Sequence, residues 1–287
     1  MGTIPHKTLR LSVTIPTWSR ADTLKLSLTK ILECRPAPGE ILVHVDAGDE
    51  GTARMLEAEF PQVKVLRAAQ RLGPGGGRNA LAQAASGEWL ASFDDDSYPL
   101  DADYFARAQA LAGEHPKAAV LAAAVVWRGQ APASPEGRAQ PARVFENCGC
   151  LIRRSAFLST QGYLPLAQAY GMEEADLALQ LLDQGWSILK APALRVFHDA
   201  ETQRHGNPET NAAHIRNTAL LAFLRYPLKH WTLGLLQTLN RIRYAIQQGR
   251  LKGIGAGLLQ IPVICWHFRK ARRPVSSDTL RRSRRLT

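Results

Sequence analysis

An α/β fold with an open, mostly parallel central sheet is what this sequence predicts, and three observations predict it. Short runs rich in Val, Ile and Leu alternate over the first third of the chain with longer stretches of helical period, the pattern of successive βαβ units. The 287 residues are 45% hydrophobic and 21% charged, ordinary globular proportions that allow one large core plus an appendage. Each apolar run is followed by a polar, glycine-rich or acidic cluster, and ligands of open parallel sheets gather beyond the carboxyl ends of the strands.

In chain order, strands are predicted at residues 11–15, 41–45, 63–66 and 89–93, with helices at 21–33, 52–59, 76–85 and 102–113. Chemistry is therefore expected in the segments after the strand ends, residues 16–20, 46–49, 70–79 and 94–97. Proline cannot donate to a ladder, so Pro16 is a candidate stop for the first strand and Pro99 keeps the fourth from continuing. A further apolar run spans 118–127, and residues 128–143, rich in Ala, Pro, Gly and Gln without a period, read as a mobile loop. A strand at 147–153, a helix at 173–184 and a strand at 194–197 ending in His198 follow. From Trp231 the apolar residues Leu235, Leu239, Ile242 and Ile246 recur at helical steps and define one face. These features divide the chain into a body, residues 1–226, and an amphipathic α-helical extension with a basic tail, residues 227–287. No internal repeat is present.

The formal charge of +11 would suggest nucleic acid if it were spread over a groove. It is not: residues 250–287 hold ten Lys or Arg against Asp278 alone, which leaves the body close to neutral. Cys34, Cys148, Cys150 and Cys265 lack the paired CxxC spacing of a zinc site and are too few for a disulfide scaffold, so a reducing cytosol is expected. The first ten residues, with His6, Lys7 and Arg10, show no apolar core of a secretory signal. Residues 253–266 are the nearest approach to a membrane span, short and broken by Gln260 and Pro262, so no crossing is expected.

Asp94, Asp95 and Asp96 stand together where a buried strand should end. Adjacent carboxylates repel one another and lose hydration there, which a hard divalent cation with oxygen ligands relieves; a solvated turn or a helix N-cap is the plain alternative. Residues 72–79 cannot form a Walker loop, because no GK[ST] follows, and Arg78 stands where a GxGxxG element needs its last glycine. The glycines do allow a close approach into a helix, with Arg78 offering a fork of donors to a diphosphate or simply capping a helix start. Glu173, Glu174 and Asp176 open a helix and suit its dipole as well as they suit acid–base chemistry.

Taken in order, the segments IPTWSR, VDAG, LGPGGGRN, FDDDSYP, NCGCLIRR, GMEEADLALQLLDQGW and FHD resemble an inverting, non-processive family 2 glycosyltransferase of the GT-A type, over about residues 10–226. The resemblance implies a GT-A, Rossmann-like nucleotide-diphospho-sugar transferase fold. It makes Asp96 a metal ligand and sets Asp94 toward the nucleotide ribose, with Asp95 in the same element. It gives the loop of Pro16, Thr17 and Arg20 to the nucleotide base, Arg78 to the diphosphate, and His198 to the metal or diphosphate, with Asp199 and Arg204 nearby. Asp46 matches a base-contacting aspartate, although this chain reads Asp46-Ala47-Gly48-Asp49 where DGS is usual; a carboxylate there accepts the imide hydrogen of uracil or thymine, which cytosine lacks. Glu174 matches the general base, at a position where Asp is commoner, and Glu173 is the alternative.

The expected activity is transfer of a sugar from a UDP or dTDP donor to an acceptor hydroxyl, with Mg2+ or Mn2+ as cofactor. The expected acceptor is a saccharide or lipid-linked saccharide, in cell-surface polysaccharide or glycolipid assembly. A QxxRW pattern is absent, which favours one or a few sugars over a polymer. The expected location is cytoplasmic, peripheral on the inner face of the membrane if the basic tail docks on anionic headgroups; the alternative is a helical extension packed on the body and ending in a disordered, solvated tail. A sugar-nucleotide nucleotidyltransferase would want a Gly-rich basic loop in place of residues 16–20, and a non-enzymatic protein binding nucleic acid or an anionic surface would explain only the charge.

Overall fold

The structure is a computed structural model and describes residues 10–132, 134–168, 170–200 and 207–286. Strand β1 (Leu11–Thr17) is buried along its whole length, as a strand covered by helices on both faces must be. It leads through α1 (Ala21–Glu33), β2 (Glu40–Val45), α2 (Glu50–Glu59), β3 (Lys64–Arg67) and α3 (Gly73–Ala84) to β4 (Trp89–Ser92), the predicted alternation. The chain continues through β5 (Ser97–Pro99), α4 (Tyr104–Glu114), β6 (Ala118–Trp127), β7 (Gln140–Pro141), β8 (Cys150–Arg153), α5 (Arg154–Leu158), α6 (Glu173–Asp183) and β9 (Ser187–His198). Helices α7 (Pro208–Arg225), α8 (Trp231–Gln247), α9 (Ile254–His267) and α10 (Ser277–Ser283) complete it.

The strand order is β3-β2-β1-β4-β8-β6-β9-β5, with β7 also on β9. Pairing is parallel between β1 and β2, β1 and β4, β2 and β3, and β6 and β9, which accounts for most of the ladder. Strand β8 runs antiparallel between β4 and β6, and β5 and β7 pair antiparallel to β9. The strict period of two divides the core between the two faces. Val13, Ile15, Val43 and Phe93 pack with Leu24, Leu28 and Phe105 on one side, while Leu42, Leu90, Val120 and Ile152 meet Leu81, Leu177 and Leu181 on the other. Each such fully buried side chain contributes about 1.5–3 kcal/mol.

Local departures from the sequence reading have physical reasons. Pro16 does not end β1; it lies inside, in register with His44. Pro99 sits within β5, which occupies the edge of the sheet, where a missing donor is tolerated. The final strand starts at Ser187 rather than 194, and its register breaks between Ala191 and Arg195, around Pro192, which hid the longer element. Strand β7 forms at the end of the segment read as a loop. Helix α7 carries buried residues around most of its circumference, among them Ala213, Ile215, Leu220 and Leu224, so it lacks an amphipathic signature.

The C-terminal helices pack on α7 and α6. Leu280 of α10 and Val275 before it are buried beside Leu179, Ala222 and Tyr226, and Arg282 donates to the Leu182 carbonyl at 2.6 Å. The alternative of a solvated, disordered end thus does not hold for α10. No helix of the described residues is long and apolar enough to cross a membrane.

Candidate active site

Strand β1 delivers Thr17 and the following turn delivers Arg20, both onto the acidic turn after β4. Asp95 accepts from Thr17 Oγ1 at 2.8 Å and from Arg20 at 2.5 Å, while Ser27 Oγ donates to its carbonyl at 2.9 Å. Asp95, unassigned by spacing alone, therefore ties the first loop and α1 to the acidic turn. Arg20 also reaches Asp96 at 2.8 Å, and the other oxygen of Asp96 lies 3.0 Å from His198 Nε2 at the end of β9. The same nitrogen is 3.7 Å from Asp94. Asp94 is ion-paired with Arg78 of α3, which lies 3.6 Å from Glu173 at the start of α6.

One unbroken series of contacts thus runs Thr17, Asp95, Arg20, Asp96, His198, Asp94, Arg78, Glu173. Glu174 is half-buried beside it. Five carboxyls face two guanidiniums and one imidazole, an excess of negative charge in a desolvated place. Part of that excess is relieved by protons. Burial, against the pull of Arg20 and with the push of Asp96, raises Asp95 to about 6. Burial, only partly offset by Arg78, raises Glu173 to about 8, and burial also raises Glu174. Burial acts on Asp96 in the same sense, but the hydrogen bond from His198 and the pair with Arg20 overcome it and hold Asp96 at about 2. His198 is raised in turn: burial disfavours the imidazolium, and the hydrogen bond to Asp96 with the charge of Asp94 outweighs it.

The glycines of α3 explain how Arg78 comes so deep. A Cβ on Gly75 would stand 2.9 Å from the Leu164 carbonyl and 2.5 Å from Glu173 Oε1, and one on Gly77 would stand 2.7 Å from His44 Nδ1. Only a bare backbone lets α3 settle against these groups. Asp46 is engaged elsewhere: its carboxylate accepts from the amides of Ala47, Leu72 and Gly73 at 3.0, 2.8 and 2.9 Å and so fixes the entry to α3. Asp46 meets the ionic series only through its backbone, whose N–H donates to the Thr17 carbonyl at 3.1 Å; no side-chain hydrogen bond among the described residues joins Asp46 or Pro16 to it. Asp199 pairs with Arg128 at 2.5 Å, and Arg204 lies outside the described residues.

Two side chains of the site were not singled out from the sequence. Cys148 brings its sulfur within 4.8 Å of ligand atoms of Asp94 and His198, a group able to hold a metal ion. Trp127 stacks on the His198 ring with centroids 4.5 Å apart. The fit of a divalent cation rests on the dense carboxylates and on His198 Nε2, which lies between Asp94 and Asp96. The side chains whose ligand atoms the structure gathers for it are Asp94, Cys148 and His198; Asp96, the ligand expected from the sequence, adjoins them through His198 at 3.0 Å.

Solved structures share this fold. GalNAc-T7, solved with UDP, GalNAc and Mn2+, superposes with a TM-score of 0.64 at 16% identity over 91% of this chain, which spans only 58% of the length of that protein. A mannosyltransferase from Pyrobaculum calidifontis, solved with GDP-Man and Mn2+, gives 0.60 at 16% identity, covering 93% of this chain and 83% of its own. A fragment of S. aureus TarS with UDP-GlcNAc gives 0.61 at 20% identity, over 81% and 72%. No curated protein matches the chain by sequence. The fold is that of GT-A glycosyltransferases. The glycosyl transferase family 2 model matches residues 12–157, just over half of the chain and every strand from β1 to β8; the chain belongs to that family.

Proposed function

We propose that the chain moves a sugar from a nucleoside diphosphate donor, UDP or dTDP in type, to an acceptor hydroxyl with inversion, assisted by Mg2+ or Mn2+. The ionic series from Arg20 to Glu173 at the strand ends is the observation that carries this reading. Residues 1–226 form the catalytic domain and 227–287 its helical extension. A divalent cation held by Asp96 and His198, with Asp94 beside them, supplies charge neutralisation for the departing diphosphate. Arg20 and Arg78 orient the same oxygens through their planar donors. Thr17 and the backbone after Pro16 lie on the base side of the donor, and Asp46 keeps that pocket in shape by fixing the start of α3.

Glu174 takes the proton of the attacking hydroxyl. It is half-buried and so within reach of an acceptor, whereas Glu173 is buried against Arg78 and Gly75; a raised pKa makes either a stronger base once ionised. The acceptor is a saccharide or a lipid-linked saccharide, handled on the cytoplasmic side in cell-surface polysaccharide or glycolipid assembly. Beside Ala175 lies a groove of about 450 Å3 whose lining includes Arg143, Arg241 and Arg284 and no carboxylate, which supports an acceptor bearing negative charge.

The test is a panel of nucleoside diphosphate sugars, screened for thermal stabilisation with and without Mn2+, followed by assignment of the product anomer. A Mn2+-dependent rise in melting temperature with one donor, lost in Asp96→Ala, is expected. No shift with any donor, and no effect of Asp96→Ala, would overturn the reading.

A further inference from the structure

Large apolar side chains that lie exposed are concentrated in one part of the molecule. Elsewhere among the described residues they are Trp18, Leu26, Val144 and Tyr170; the rest fall between Leu228 and Trp266. On α8, Leu235, Leu239 and Ile246 repeat along one helical face and are 61%, 51% and 53% exposed. On α9, Leu259, Val263 and Trp266 are 78%, 69% and 68% exposed. The opposite side of α9 is anchored: a Cβ on Gly257 would stand 2.9 Å from the Ala212 carbonyl of α7, so the two backbones touch there. The outward direction of the apolar face is therefore fixed by packing and not by a loose helix.

The charge pattern around this face has one sign. Between Glu209 and Asp278 there is no Asp or Glu, and the same stretch holds eleven Lys or Arg. Ile254–His267 contains no Asp, Glu, Lys or Arg, while Arg250 and Lys252 precede it and Arg269, Lys270, Arg272 and Arg273 follow. Trp266 ends the apolar run with the Arg269 guanidinium stacked on its ring at 3.9 Å. At about 1.5 Å per residue α9 is roughly 21 Å long, short of the hydrocarbon thickness of about 30 Å, so it is too short to span a bilayer.

We propose that the exposed face of α9 docks on an anionic phospholipid bilayer, with Leu259, Val263 and Trp266 entering the acyl boundary and the flanking cations on the headgroups. An apolar face bounded by cations and an interfacial tryptophan fits that solvent on each count. A second copy of this chain fits it poorly, because the contact would bring like charges together. The docking element is the α9 face and not the basic end of the chain, which is folded as α10 against α6. The proposal is independent of the transfer reading, since binding is measured without any donor.

The test is co-sedimentation of the full chain with vesicles of phosphatidylcholine, with and without phosphatidylglycerol. Binding to the anionic vesicles is expected, with a loss of about tenfold or more when Leu259→Ser, Val263→Ser and Trp266→Ser are combined. Replacing Arg281→Ala and Arg285→Ala, exposed on or just after α10, is expected to leave binding within about twofold. A second readout does not depend on the triple variant folding: lipids brominated on the acyl chains should quench tryptophan emission in the wild type and quench less in Trp266→Phe. No binding to anionic vesicles, binding unchanged in the triple variant, or equal quenching in Trp266→Phe would overturn the proposal. So would a dimer seen by light scattering that the triple variant dissociates while vesicle binding persists, or an acidic protein captured by this face in the absence of vesicle binding.

Discussion

Arg78 holds two carboxylates from distant parts of the chain, ion-paired with Asp94 and 3.6 Å from Glu173. A lysine keeps the charge and loses the fork, so Arg78→Lys is expected to lower kcat/KM about a hundredfold, close to 2.7 kcal/mol. Arg78→Ala leaves the buried Glu173 and the partly exposed Asp94 without their shared cation and is expected to cost about 3–5 kcal/mol of stability. Steady-state kinetics and denaturant unfolding measure the two effects. An Arg78→Lys enzyme with wild-type kinetics would remove Arg78 from the donor site.

Glu173 gives a pH signature with an unusual sign. Its folded pKa of about 8 stands above the ordinary unfolded value of about 4.3. Between those values the folded state binds more protons, so this group weakens folding as pH rises. Glu173→Gln removes the effect and is expected to raise the melting temperature above pH 8 by about 2 °C or more, with little change near pH 4. A pH series of thermal melts checks it; an equal shift at both ends would show that the substitution acts through packing.

Asp96 behaves in the opposite way. Its folded pKa, about 2, is below the usual value of about 3.9, so its contribution is complete above that pH and is lost as pH falls toward 2. Asp96→Asn is expected to cost about 2–3 kcal/mol at pH 7 and almost nothing at pH 2. Urea unfolding at the two pH values separates this from a general loss of packing.

Arg225 and Asp176 form an ion pair in which both side chains are almost wholly buried, with a second contact at 3.0 Å and a further bond from Arg225 to Gln161 at 2.5 Å. Arg225→Ala strands the Asp176 charge and is expected to cost about 3–5 kcal/mol. Replacing both residues together, Asp176→Leu with Arg225→Met, is expected to recover most of that loss, which a double-mutant cycle measures. Because the pair joins α6 to α7, protection of amide hydrogens in α7 should fall in the single variant and return in the double.

The parallel half of the fold was legible because each strand there stands alone between helices and carries a short apolar run. The second half was not, for reasons that lie in particular residues. Pro192 interrupts β9, and Pro99 disguises β5 as a stop. At the site, Asp94, Asp95, Asp96, Arg78, Arg20, Thr17, Glu173 and His198 were all found, and one series of contacts joins them. Cys148 does not follow the carboxyl end of a parallel strand, so the parallel pattern gives it no place at the site. Strand β8 runs the other way, so its beginning reaches that edge, and the NCGC segment places Cys148 at the site and Cys150 in the core. The partners of Asp46 could not be read at all, since backbone amides leave no mark in a sequence.

In the resting site Arg20 and Arg78 are held by the carboxylates of the acidic turn. A diphosphate that draws these guanidiniums away from Asp94, Asp95 and Asp96 uncovers carboxylates, and a cation that takes the carboxylates uncovers guanidiniums. Anion and cation should therefore enter by exchanging partners, each releasing what the other needs. Coupling of that kind is reciprocal, so UDP should tighten Mn2+ binding by the same factor as Mn2+ tightens UDP. Calorimetric titrations of each ligand in the presence and absence of the other would show it, and Arg20→Met should shrink the coupling more than it weakens either ligand alone.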